Sequence, residues 1–136
     1  MPLAADNNLT NTFRKHNKLK SSIEIEVLYR ANQFIVSYPL KCYYSFSEIK
    51  EHTSNVRVAF TVPKKLVKLA TDRNTLKRRM REACRLHYKK IFEAFMDQNE
   101  KQLKLFFIYV GKERMEYAAI AKNMEVILYK LSTQSK

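Results

Sequence analysis

Polar and apolar positions along the chain change rhythm several times, and each rhythm predicts an element. In residues 38–46, Tyr38, Leu40, Cys42, Tyr44 and Phe46 alternate with Lys41, Tyr43 and Ser45. That period of two is the signature of a strand with one buried face. Residues 56–62 repeat it, with Val56, Val58, Phe60 and Val62 on one face and Arg57, Ala59 and Thr61 on the other. Pro63 has no backbone donor for a ladder and ends the strand. Between the two strands, residues 47–55 are polar and read as a loop. The run Leu103–Val110 is almost continuously apolar up to Gly111, the pattern of a central strand buried on both faces.

The remaining segments have helical spacing. Ser21 and, three residues on, Glu24 form a capping-box pattern ahead of a helix over about 22–31, which Asn32 and Gln33 end. Thr71 or Asp72 caps a long helix reaching about His87 or beyond, and a further helical stretch covers about 90–98. A last helix over about 115–131 carries Tyr117, Ile120, Ala121, Met124, Leu128 and Leu131 as its apolar stripe. The order α-β-β-α-(α)-β-α predicts an α+β fold, a two-layer α/β sandwich with a small sheet. Residues 1–18 show no apolar period and read as a flexible N-terminal arm. One domain over 19–131 and a tail at 132–136 complete the expected organisation.

Composition narrows the chemistry. The chain has 136 residues, the size of one ordinary domain. Its single glycine, Gly111, excludes a Gly-rich phosphate loop of either dinucleotide or P-loop type. No apolar run is long enough to span a bilayer, and the first residues lack the pattern of a signal peptide. Cys42 and Cys84 fit no metal or redox spacing, so reduced thiols in a cytoplasmic protein are expected.

The charge of +13 is unevenly placed: residues 63–90 alone hold 11 basic and 2 acidic side chains. On a helical wheel, Leu76, Met80, Ala83, Cys84 and His87 share the arc that packs on the sheet. Asn74, Lys77, Arg78, Arg81, Arg85 and Lys89 share the neighbouring arc, and only Arg73 and Arg79 fall outside it. An ordinary solvated helix alternates signs to gain pairs one turn apart, but here only Glu82 is available for that. Like charges stacked on one face point to a polyanion, nucleic acid before an acidic membrane surface. The sheet face that carries Lys41, Tyr43, Arg57, Ala59 and Thr61 combines cations, an aromatic ring and small residues, a mixture suited to a single strand of RNA.

Other classes fit less well. His16, His52 and His87 are scattered, and no zinc spacing exists. Cys42 has no oriented His–carboxylate partner in the sequence to make it a nucleophile. Capping and helix-dipole roles account for Glu24 and Asp72, and paired carboxylates for hydrolysis are not evident. A membrane-surface helix would carry bulky aromatics on its apolar face, which this one does not.

The stretch RVAFTVPKK, followed after a short spacer by ATDRNTLKRRMREACR, resembles the signature of the bacterial ribonuclease P protein subunit. The family pattern runs here through Arg73, Asn74, Lys77 and Arg78 and continues through Arg81, Glu82 and Ala83. Thr75 stands where the family usually has Arg, and Arg79 is the candidate to replace it. The resemblance extends to LKSSIEIEVLY, YPLKCYYSF and LKLFFIYVGK, covering about residues 19–131. It implies a mixed sheet with a basic crossover helix, reached by a left-handed connection. It also implies a protein that binds a catalytic RNA and the 5′ leader of precursor tRNA, with cleavage by the RNA subunit and its Mg²⁺. Lys64, Lys65, Arg73, Asn74, Lys77, Arg78, Arg81 and Arg85 would then meet the catalytic RNA. Tyr29, Lys41, Tyr43, Arg57 and Thr61 would line the leader cleft, with the non-aromatic Ile25 one turn before Tyr29. One copy of the chain in the complex is expected, with no cofactor of its own. The alternative is a general structured-RNA-binding protein, such as a ribosomal or assembly factor.

Overall fold

The computed structural model describes residues 22–48, 56–96 and 101–134. The expected arm, Ser21, His16 and His52 lie outside the described residues, as do the side chains of Lys89, Phe92 and Phe95. The elements are α1 (Ser22–Ala31), β1 (Phe34–Ser37), β2 (Leu40–Glu48), β3 (Val56–Thr61), α2 (Ala70–Met96), β4 (Lys101–Tyr109) and α3 (Tyr117–Gln134). The strands form one sheet in the order β1-β2-β4-β3. β1 and β4 both run antiparallel to β2, while β3 and β4 are parallel, so α2 is the crossover between two parallel strands. The sheet is mixed and the class α+β, as expected.

Two elements differ from the sequence reading. A further edge strand, β1, lies between α1 and the expected first strand. Its four residues FIVS place only two side chains on each face, too few to show a period. Asn32, with φ of 56°, ends α1 in the left-handed conformation that asparagine tolerates, and turns the chain into β1. The second difference is α2, a single helix of 27 residues rather than two. The polar residues at 88–90 interrupt the apolar stripe but not the backbone, because no proline or glycine occurs between Ala70 and Met96. Its first turn begins just before Thr71, with the Arg73 amide donating to the Leu69 carbonyl at 3.0 Å.

The main core lies on one face of the sheet. Leu103, Leu105, Phe107 and Tyr109 of β4, Leu40 and Cys42 of β2, and Val56 and Val58 of β3 supply the strand side. Leu76, Met80, Ala83 and Cys84 of α2, and Ile120, Met124, Ile127, Leu128 and Leu131 of α3, cover them. Thus the predicted inner stripe of α2 is correct except at its end. His87 is on the rim, with its side chain 23% exposed and Nε2 4.0 Å from the Glu125 carboxylate of α3. Among the described residues, the opposite face carries only α1, whose Leu28 packs on Tyr43 beside Ile25, Ala59, Phe106 and Ile108. β4 is therefore central, as its composition predicts, but fully buried only on the α2–α3 side: Lys104, Phe106 and Ile108 remain half-buried.

The turn after β4 is held close to the β1–β2 hairpin. The Val110 amide donates to the Pro39 carbonyl at 2.7 Å, and a Cβ at Gly111 would sit 3.0 Å from Pro39. The lone glycine is thus a close-approach position. Tyr109 donates its hydroxyl proton to the Glu113 carbonyl and accepts from the Met115 amide, fixing the path into α3. Among the described residues, no helix is long and apolar enough to cross a membrane.

Candidate nucleic-acid interface

The basic face begins in the turn after β3. The Pro63 carbonyl accepts from the Leu66 and Val67 amides, and this tight turn leaves Lys64 and Lys65 exposed. Arg73, in the first turn of α2, donates through Nη1 to the carbonyls of Val67 and Lys68 at 3.0 and 2.7 Å. It braces the loop that presents the two lysines. Asn74, Arg78 and Arg81 are exposed and Lys77 is half-buried. None of Lys64, Lys65, Lys77, Arg78 and Arg81 has an ion-pair partner among the described residues. Arg85 is different: its guanidinium binds the Glu82 carboxylate. Hydrogen bonding to Arg85 holds the Glu82 carboxyl below its ordinary range and raises Arg85 in turn. Arg85 therefore enters any anion site already paired.

Two residues resolve the departure at position 75. The Thr75 hydroxyl donates to the Thr71 carbonyl at 3.0 Å, satisfying itself within the helix. Arg79, the candidate replacement, donates instead to the Met115 carbonyl at 2.7 Å and ties α2 to the start of α3. It is a structural brace on the other side of the helix.

The second surface is the cleft between α1 and the sheet. Strand register sets three rows across its floor: Val36, Lys41, Ile108 and Thr61; Phe34, Tyr43, Phe106 and Ala59; and Ser45, Lys104 and Arg57. Tyr29, Lys41, Tyr43, Arg57 and Thr61 thus do face one region, but their roles separate. Tyr43 is only 4% exposed, because Leu28 covers it and its ring sits 5.0 Å from Tyr29 and 5.5 Å from Phe34. Tyr43 thus lies in the cleft as part of its floor, beneath other rings. The open aromatics are Tyr29, at 56%, and Phe34, at 42%.

Phe34 was not legible as a site residue because β1 itself was not. Lys41 lies with Nζ 4.2 Å from the Phe34 ring centre and 4.9 Å from that of Tyr43, a cation–π arrangement. Arg57 is bound to Glu24, Nη1 to Oε2 at 3.1 Å, and Lys104 approaches the same carboxylate at 4.0 Å. Sequence reasoning assigned Glu24 to helix capping. Its partnership with Arg57 spans 33 positions and left no local signal.

Among the described residues, no three His, Cys, Asp or Glu side chains gather as a metal site. Cys42 and Cys84 are buried in the main core, and burial pushes both thiols up from their ordinary range.

An α+β sandwich with an open cationic helix on one layer and an aromatic, cation-bearing cleft on the other is an RNA-binding architecture. The same fold occurs in the RNase P protein of Staphylococcus aureus, whose 2.0 Å structure superposes with a TM-score of 0.65. It shares 19% identity and aligns over 85% of this chain and 94% of that one. A curated relative, the ribonuclease P protein component of Chlorobium phaeobacteroides, is 33% identical over 107 residues, 74% of this chain and 73% of its own length. The ribonuclease P protein component of Chlorobaculum tepidum is 47% identical over 57 residues, covering 40% and 37% of the two chains. The family model described as Ribonuclease P matches residues 13–132, and the chain belongs to that family. Its role is in tRNA 5′ processing, as the protein component of an endoribonuclease complex whose partner is ribonuclease P RNA. Nothing in these relationships favours a general ribosomal or assembly role.

Proposed function

We propose that the basic face of α2, with Lys64 and Lys65, docks on ribonuclease P RNA while the α1–sheet cleft holds the unpaired 5′ leader of precursor tRNA. The RNA subunit, with its Mg²⁺, then performs the cleavage, and one copy of the chain in the cytoplasm supplies affinity for the substrate. The observation that carries this reading is the set of open cations on one layer of the fold, Lys64, Lys65, Lys77, Arg78 and Arg81, opposite a cleft with open rings. Unpaired, closely spaced cations raise each other's energy, and a phosphate backbone relieves that with release of counterions. Exposed Tyr29 and Phe34 offer π-faces to bases that are not in a duplex, and a leader is such a strand.

The test is leader removal from a precursor tRNA at physiological Mg²⁺ with the cognate RNA alone, this protein alone, and both. The expected result is negligible cleavage by the protein, slow cleavage by the RNA and strong stimulation by the pair. Cleavage by the protein alone would overturn the division of labour. Stimulation equal for substrates whose leader is single-stranded and substrates whose leader is held in a duplex would remove the cleft from it.

A further inference from the structure

Resting on the leader reading of the cleft, we propose that Glu24 is a built-in stand-in for a leader phosphate and limits how tightly the cleft grips the leader. Glu24 is in the first turn of α1, yet its carboxylate reaches the sheet. There Arg57 and Lys104 are direct neighbours across the parallel β3–β4 ladder. Arg57 Nη1 lies 3.4 and 3.1 Å from the two carboxylate oxygens, and Lys104 Nζ lies 4.0 Å from the first. Both cationic side chains are only 19% exposed. A guanidinium fork with an ammonium beside it is also the donor set that a phosphodiester takes. Glu24 therefore occupies an anion position made by two strands.

The other end of the cleft is unlike this one. Lys41 is two rows away, lies over the Phe34 and Tyr43 rings, and has no ion pair among the described residues. A strand entering beside Lys41 meets no competing anion among the described residues. To engage Arg57 and Lys104 as well, it must displace Glu24, exchanging one anion for another. Part of the cationic potential of the cleft is thus cancelled before RNA arrives. Leader discrimination is correspondingly weaker than the number of cations in the cleft would allow.

The experiment compares affinities of the assembled holoenzyme for precursor and mature tRNA as a function of salt, for the wild type and Glu24→Gln. The expected result for Glu24→Gln is a precursor-to-mature ratio raised about 2- to 5-fold at roughly 0.1 M salt, the range an ion pair of this kind can withhold. The leader-dependent part of the salt slope should steepen by about 0.7, one further single-strand phosphate. Glu26→Gln removes the same formal charge from the solvent side, where Glu26 pairs with Arg30 at 2.6 Å, and should leave the ratio at the wild-type value.

Should the Gln variant fail to fold, Glu24→Asp keeps the charge at the helix start but shortens its reach. It should move the ratio in the same direction by less. A ratio that is unchanged, or lowered, in whichever of these variants folds would overturn the proposal, since Glu24 would then be holding Arg57 in place for the leader. A wild-type enzyme with no preference for precursor tRNA would instead bring down the leader reading itself.

Discussion

Arg73 and Arg78 stand in the same basic run of sequence, but the fold gives them different work. Arg73 braces the Val67–Lys68 carbonyls, whereas Arg78 and Arg81 are exposed, with no ionic partner among the described residues. Arg78→Ala and Arg81→Ala should leave stability within about 0.5 kcal/mol of wild type. Each should lower the salt slope of RNA binding by about 0.7–0.9, the contribution of one phosphate contact. Arg73→Ala should weaken RNA binding and also lower stability by about 1 kcal/mol, because two carbonyls lose a charged donor. Salt-dependent binding titrations and denaturant melts on the same three variants check both halves. A flat salt slope across the series would remove α2 as the phosphate-binding element.

The thiols give a second prediction at this scale. Burial raises Cys42 and Cys84 above the ordinary value of 9.0. Below pH 9 the folded and unfolded chains both keep these protons and the stabilising term is fully present. Above it the unfolded chain loses protons that the folded one retains, so stability falls as pH rises, by up to about 1.4 kcal/mol per pH unit for each thiol. Tyr109 and Tyr117, also raised by burial, add to the same alkaline limb. Urea melts between pH 8 and 10.5 should show this decline, and Cys84→Ala should make it shallower.

Among the elements, α2 was readable in detail and β1 was not. A 27-residue helix repeats its pattern many times, so Leu76, Met80, Ala83 and Cys84 could be placed on the inner face from spacing alone. A four-residue strand offers no repeat, and its existence depends on pairing with β2 through the Phe34↔Tyr43 to Ser37↔Leu40 register. The two helical stretches read from the sequence join in α2 because no proline or glycine interrupts the backbone between them.

Because α2 joins its outward cations to the core through that inner face, Leu76→Ala should cost about 2–5 kcal/mol. It should do so without changing the salt slope of the fraction that remains folded. Equilibrium unfolding combined with RNA titration separates the two effects. A loss below about 1 kcal/mol would mean that the buried Leu76 site collapses without a cavity.

At the scale of the whole molecule, the sheet separates two tasks. Its α2–α3 face holds the main core and anchors α2, while the described residues cover its α1 face only in part and leave Tyr29 and Phe34 exposed and Lys41 half-buried. The class of fold, the central place of β4, the cationic face of α2 and the family resemblance were all present in the sequence by itself. Each depends on residues near one another along the chain: a period, an apolar run, a charge cluster, a contiguous motif. The tertiary structure decided which side chains meet across long separations. Tyr43 became floor rather than platform because Leu28 and two rings close over it. Arg79 became a brace because Met115, 36 positions on, supplies its acceptor. Glu24 became part of the cleft because strand register sets Arg57 beside Lys104 under α1. Local patterning states what a face is made of, but the partner of a charge or a ring is set by which elements pack together, and that is a property of the folded chain.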